Sequence, residues 1–127
     1  EEPLPADQQR NWDVLHHVGV LYHLLNPVGH LQHIAPRIGS AIMLDTHVAE
    51  EGMALQDGET GGFGYRYQER REGGYECVFS GTKPVARWLH LDDLTALLRQ
   101  QGFGRIRELA LRAERNGPRV HIIAQRD

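Results

Sequence analysis

The chain carries eight histidines among 127 residues, and they are the first residues to bear on chemistry. An imidazole titrates near neutral pH, so it serves as acid, base or metal ligand. In an open α/β sheet, ligands sit beyond the carboxyl ends of the parallel strands. Two apolar runs read as such strands, and the rule selects Gly19 to His23 after the first and Asp45 to His47 after the second. His23 is the candidate general base; the competing reading is a loop histidine that orients backbone. His17 reads equally as a pocket residue or as a core histidine bonded to backbone. Asp45 and His47 are candidate substrate contacts, although Asp45 also fits a role in bonding the following loop. His16 and His17 are adjacent on a strand and so point to opposite faces, which prevents them from sharing a metal. His30 and His33 share a helical face but have no third ligand nearby, whereas zinc normally takes three or four. A solvated helix face is expected there, and no metal. Arg66, Arg70 and Arg71 form a basic run, but Glu69, Glu72 and Glu76 interleave with it, so a salt-bridged surface is expected.

The elements that must position these residues follow from patterning. Asp13 to Leu21 is apolar at both parities, as in a strand buried on both faces. Asn26-Pro27 supplies a helix cap and a first-turn proline, and Val28, Leu31, Ile34 and Ala35 recur at helical spacing. Pro36 and Gly39 end that helix, and Ser40 to Asp45 reads as the second buried strand. Strand, helix and strand with short connections predict a right-handed crossover unit. Residues 50–87 hold most of the glycines, with alternating Phe63, Tyr65 and Tyr67 and then Tyr75, Cys77 and Phe79 around Gly73-Gly74. They read as an irregular hairpin, either a lid-like insertion or a surface excursion. Asp92 and Asp93 open a helix with Leu94, Leu97 and Leu98 as its buried stripe and Gly102 as its stop. Ile106 to Ala113 predicts a strand with a bulge near Arg107-Glu108, and Asn116-Gly117 predicts a hairpin returning through Val120 to Ala124.

Composition bounds the rest. The formal net charge is −3, which gives no global attraction to nucleic acid or anionic membrane. Cys77 is the one cysteine, so no intrachain disulfide forms; a cytoplasmic location is expected. No apolar run reaches bilayer length, and Glu1-Glu2-Pro3-Leu4-Pro5 lacks the features of a signal peptide.

Several of these stretches resemble one family. Trp12 to Leu15, Gly19 to Leu24 and Asn26-Pro27 resemble the fourth strand and following loop of class I S-adenosylmethionine-dependent methyltransferases. Gly19-Val20-Leu21-Tyr22-His23 is similar to the tRNA wobble-uridine carboxymethyltransferases and their relatives. Arg37 to Ser40 with Ile42 to Asp45 resembles the fifth strand and its approach. Leu91 to Leu94 through Gly102-Phe103 resembles the helix and turn before the sixth strand. The Asn116-Gly117 hairpin resembles the reversal between sixth and seventh strands.

The resemblance implies a partial Rossmann-like α/β fold: strand-helix-strand over 12–48, insertion over 50–87, helix and antiparallel hairpin over 88–127. It implies the C-terminal half of such a domain, with the glycine-rich half absent; Gly61-Gly62-Phe63-Gly64 follows no buried strand and reads as a turn. It implies S-adenosylmethionine as methyl donor, contacted by His17, Val18, Gly19 and Tyr22, and a small molecule or RNA base as acceptor. The strand at 13–20 would then lack a neighbour, and an N-terminal half or a second copy is expected to cover that edge. The alternative is a partner subunit or oligomerisation module that completes another methyltransferase chain.

Overall fold

The computed structural model describes residues 12–19, 21, 24, 26–49, 54–71, 85–114 and 117–126. Its elements are β1 (Trp12–Val18), α1 (Pro27–Ile34), β2 (Ile38–His47), β3 (Gln56–Thr60), β4 (Phe63–Arg71), β5 (Val85–Leu89), α2 (Leu91–Gln100), β6 (Arg105–Glu114) and β7 (Gly117–Gln125). A four-stranded sheet runs in the order β1-β2-β7-β6 and a three-stranded sheet in the order β3-β4-β5. The β1–β2 pair is parallel, and β7 lies antiparallel between β2 and β6.

Local chemistry explains where the helices start and stop. The Asn26 side chain accepts from the Gly29 backbone N–H at 3.1 Å, and Pro27 occupies the first turn, where its missing N–H costs nothing. Val28 and Leu31 are then buried, and a short 3-10 turn over Ala35–Arg37 leads into β2. At α2 the cap is the His90 imidazole, which accepts from the Asp92 N–H at 3.2 Å, with Asp92 and Asp93 in the first turn. The helix ends with Gly102 at φ +99°; Gly102 N–H reaches Arg99 O and Phe103 N–H reaches Leu98 O, both at 3.0 Å. This paired bonding with a left-handed glycine satisfies the last carbonyls and turns Phe103 into the core.

One face of the four-stranded sheet forms the core. Ile42, Leu44, Val120, Ile122 and Ala124 cluster there with Leu31 of α1, Leu94, Leu97 and Leu98 of α2, and Phe103. The expected bulge in β6 falls one step later, with Leu109 inserted between Glu108 and Ala110.

Three expectations change. The strand at 13–20 was expected to be buried on both faces, but β1 packs on one. His17 is buried, whereas Val14 and Val18 are 50% and 54% exposed, because no described element covers that side. β1 is also an edge of its sheet among the described residues. Arg66 of the basic run reaches across to α2, as set out below, while Glu72 and Glu76 lie outside the described residues. Finally, Gln56–Thr60, Phe63–Arg71 and Val85–Leu89 build a sheet of their own. Gly61 and Gly62, at φ +57° and +80°, turn β3 into β4, and Tyr65 and Tyr67 enter the same core as the main sheet. Two buried aromatics need a partner surface, and the four-stranded sheet with its helices supplies it. The second half of the expected hairpin, with Gly73-Gly74, Tyr75, Cys77 and Phe79, lies outside the described residues. No described helix is long and apolar enough to cross a membrane.

Candidate functional site

The carboxyl ends of β1 and β2 lie side by side. Val18 pairs with Asp45, and the Gly19 N–H donates to the Asp45 carbonyl at 3.0 Å. Gly19 takes φ +72°, a conformation that glycine adopts without steric cost. Among the described residues a Cβ there would meet nothing nearer than Arg119 Nη2, at 3.9 Å, so that side of the backbone is open to close approach. Three predicted donor contacts, His17, Val18 and Gly19, therefore stand together at one strand end. Tyr22 and His23 lie outside the described residues.

Strand alternation sends these side chains to different faces. His17 turns inward and is 7% exposed, while Val18 turns outward with its register partner Asp45. His17 Nε2 lies 2.9 Å from His30 Nε2, with the rings edge to face at 5.0 Å. Burial holds both imidazoles below the ordinary histidine value; His30 lowers His17 further, and His33 lowers His30 further. His17 Nδ1 is buried and makes no hydrogen bond among the described residues. His30 is thus half-buried in a polar contact, where a solvated helix face was expected; His33 keeps that face, exposed.

Asp45 and His47 share the other face but do different things. The Asp45 carboxylate accepts from Arg119 Nε at 2.5 Å and lies 3.7 Å from Arg112 Nη2. It is a buried-edge ion pair across the sheet rather than a contact to the following loop. His47 is 5% exposed, bonds through Nδ1 to the Pro118 carbonyl at 3.1 Å, and stacks on Trp88 at 4.6 Å with planes 9° apart. Arg70 sits over the same indole at 4.0 Å. His47 is consequently walled in by protein on the ring face that meets Trp88.

A second polar cluster escaped the sequence reading. Arg66 forms a two-pronged pair with Asp93, Nε to Oδ2 at 3.0 Å and Nη2 to Oδ1 at 3.1 Å, and its backbone N–H adds a 2.7 Å bond. Burial raises the Asp93 pKa, but the Arg66 hydrogen bonds and charge outweigh it and leave the carboxyl below its usual value. A shallow groove of about 280 Å³ runs beside the pair, lined by Asp57, Gly58, Gly64, Tyr65, Arg66 and Asp93. Among the described residues no group of three His, Cys, Asp or Glu side chains converges on a metal position. The partners missed by sequence, His30, Arg119 and Asp93, carried no local signal: each meets its partner across at least 13 positions.

The architecture is mixed α/β, mostly strands, with two parallel strands continued by an antiparallel pair. Among solved structures it is similar to domains that hold an S-adenosyl ligand. The crystal structure of the N-terminal domain of EvdMO1 with SAH bound overlays at a TM-score of 0.65 and 26% identity, covering 91% of this chain and 46% of that one. The same domain in the presence of SAH and D-fucose gives a TM-score of 0.65 and 26% identity, covering 91% and 47%. The glycopeptide N-methyltransferase MtfA complexed with S-adenosyl-L-methionine overlays at a TM-score of 0.47 and 15% identity, over 98% of this chain and 60% of that one. The chain spans about half the length of the EvdMO1 domain it matches. No protein-family model and no curated protein matches the sequence.

Proposed function

We propose that this chain is part of an S-adenosylmethionine-dependent methyltransferase, acting on a small molecule or an RNA base. The observation that carries the reading is the 26% identical overlay, across 91% of the chain, on a domain with SAH bound. The strand ends support such a ligand: among the described residues Gly19 leaves its backbone open, and His17 Nδ1 is a buried polar atom with no hydrogen-bond partner. His17, Val18, Gly19 and Tyr22 would hold the donor, which supplies a methyl carbon on a sulfonium. His23 would take the proton lost by the acceptor, and Asp45 and His47 would face the acceptor side. The D-fucose present with the similar domain and the net charge of −3 both favour a small polyhydroxylated acceptor over the RNA base suggested by the Gly19 to His23 stretch.

The runner-up is a partner module that completes another chain, and the exposed Val14 and Val18 on edge strand β1 favour it. In either case an N-terminal half or a second copy would cover that edge. Calorimetric titration with S-adenosylhomocysteine, run beside light scattering, tests both. Saturable binding by the chain supports the enzyme reading. No binding, with binding restored by a complementary chain, supports the module. No binding in either setting removes both.

A further inference from the structure

The His17–His30 contact has a proton arithmetic of its own. Two Nε2 atoms at 2.9 Å make a hydrogen bond only if one carries hydrogen and the other a lone pair. The neutral pair satisfies this. One added proton, on Nδ1 of the donor ring, leaves the bond intact but places charge in a poorly solvated position. A second proton must go onto the accepting Nε2, and then two N–H groups confront each other across the same gap. The closed pair therefore holds none or one, and takes a second only by separating. His17 precedes Val18 and Gly19 at the carboxyl end of β1, and His30 sits in the middle of α1.

Among the described residues only a backbone hydrogen bond at His17 favours its charged form, and burial outweighs it. His33, one helical turn along α1, adds repulsion when protonated. β2 presents Leu44 opposite His17. Asp45 follows Leu44 on the other face, already bonded to Arg119, and so does not compensate. His16 is likewise on the outer face.

We propose that His30 is a positioning residue for the donor site: through the Nε2–Nε2 bond it holds His17, and with it the Val18–Gly19 strand end, in the place donor binding uses, and it does so only while the pair carries fewer than two protons. This rests on the methyl-donor reading above. It predicts that donor affinity survives the first protonation of the pair and falls on the second, because the two protons bind in separate macroscopic steps that belong to the pair.

The test pairs two measurements on the full chain, with S-adenosylhomocysteine as the probe. Histidine-ring NMR from about pH 8 to about pH 5 reads the pair directly, and calorimetry over the same range reads affinity. The two rings are expected to share two separated steps below the ordinary histidine value, and affinity is expected to fall with the second. His30→Leu, which cannot hydrogen-bond, should weaken affinity about tenfold near neutrality, the scale of one net hydrogen bond. His30→Gln, which hydrogen-bonds without titrating, should recover most of that loss and flatten the pH profile; a purely structural role would not flatten it. Binding with an unchanged pH profile in His30→Gln overturns the positioning role and leaves the donor reading standing. Independent titration of the two rings overturns it as well. Coupled titration with no binding at any pH overturns the donor reading, and the positioning role falls with it.

Discussion

Arg119 on β7 reaches diagonally across the sheet to Asp45 on β2, Nε to Oδ1 at 2.5 Å, with only 18% and 17% of the two side chains exposed. Because both groups have left most of their water, the pair is worth little against an apolar substitute but much against a half-broken state. Asp45→Asn is expected to destabilise the chain by about 2–4 kcal/mol, since it takes the carboxylate charge away from a mostly buried guanidinium. Asp45→Asn combined with Arg119→Met should lose less than the single change. Chemical denaturation of the four members of the cycle measures this coupling. Equal and additive losses would mean that each residue acts alone.

Trp88 ties the two sheets together. Its indole stacks on His47 of β2 and lies beneath Arg70 of β4. Gly117, at φ +139°, opens β7 against its edge: a Cβ there would stand 2.6 Å from Trp88 Cζ3. Gly117→Ala thus meets both an unfavourable backbone conformation and a ring that cannot easily retreat. A loss of about 1–3 kcal/mol is expected, with a change in tryptophan fluorescence. Trp88→Ala removes a buried ring and should cost about 3–5 kcal/mol. Thermal melts followed by fluorescence and by far-UV dichroism check both. A Gly117→Ala melt identical to wild type would show that the ring has room to move.

How much of this was legible depended on range. The α1 cap at Asn26-Pro27, the Gly102 stop of α2 and the β6–β7 reversal are each decided within a few residues, and all three were readable. The parallel β1–β2 pair followed from two apolar runs around a helical pattern. The second sheet was half-readable: the alternation of Phe63, Tyr65 and Tyr67 marked a strand, but nothing local said that it pairs with Gln56–Thr60 and Val85–Leu89. The polar partners were not readable. Glu69 is nearer to Arg66 in sequence than Asp93 is, yet alternation and the docking of α2 put Asp93 within reach. His30 looked solvated because a three-residue spacing describes a helix face and not what the face meets. Tertiary docking decided each of these choices.

Arg126 closes the amino end of the main sheet. Its guanidinium donates to Ala35 O at 2.6 Å, Ile38 O at 2.7 Å and Gln101 O at 2.8 Å, and lies 4.2 Å over the Phe103 ring. Ala35 and Gln101 are the C-caps of α1 and α2, so one cation meets the negative ends of both helix dipoles. Arg126→Met keeps much of the apolar stem but drops every donor. It should destabilise by about 2–4 kcal/mol, from charged hydrogen bonds worth about 1.5–3 kcal/mol each and partly replaced by water. Lys should rescue little, because a single ammonium cannot fork to three separated carbonyls. Denaturant midpoints for Arg126→Met and Arg126→Lys measure it; a full rescue by Lys would show that charge alone suffices.

The pH dependence of stability on the acid side should trace to Asp93. Its folded carboxyl lies below the ordinary 3.8 because Arg66 bonds the ionised form more strongly than burial opposes it. Between that lowered value and 3.8 the unfolded chain binds a proton that the folded chain does not. The contribution is therefore fully present above 3.8 and is lost as pH falls through the folded value. His17 and His30 act in the same direction nearer neutrality. Their folded values lie below 6.5, so the unfolded chain again binds more protons and stability declines as pH drops from there. Two separated losses are expected in a stability-versus-pH curve. Asp93→Asn should lower stability near neutral pH and erase the acid-side loss while leaving the other in place. His30→Gln should shrink the upper one alone, leaving the part that burial of His17 contributes. Denaturation midpoints collected across that range assign each step, and a curve unchanged by Asp93→Asn on the acid side would move the origin of that loss away from the Arg66 pair.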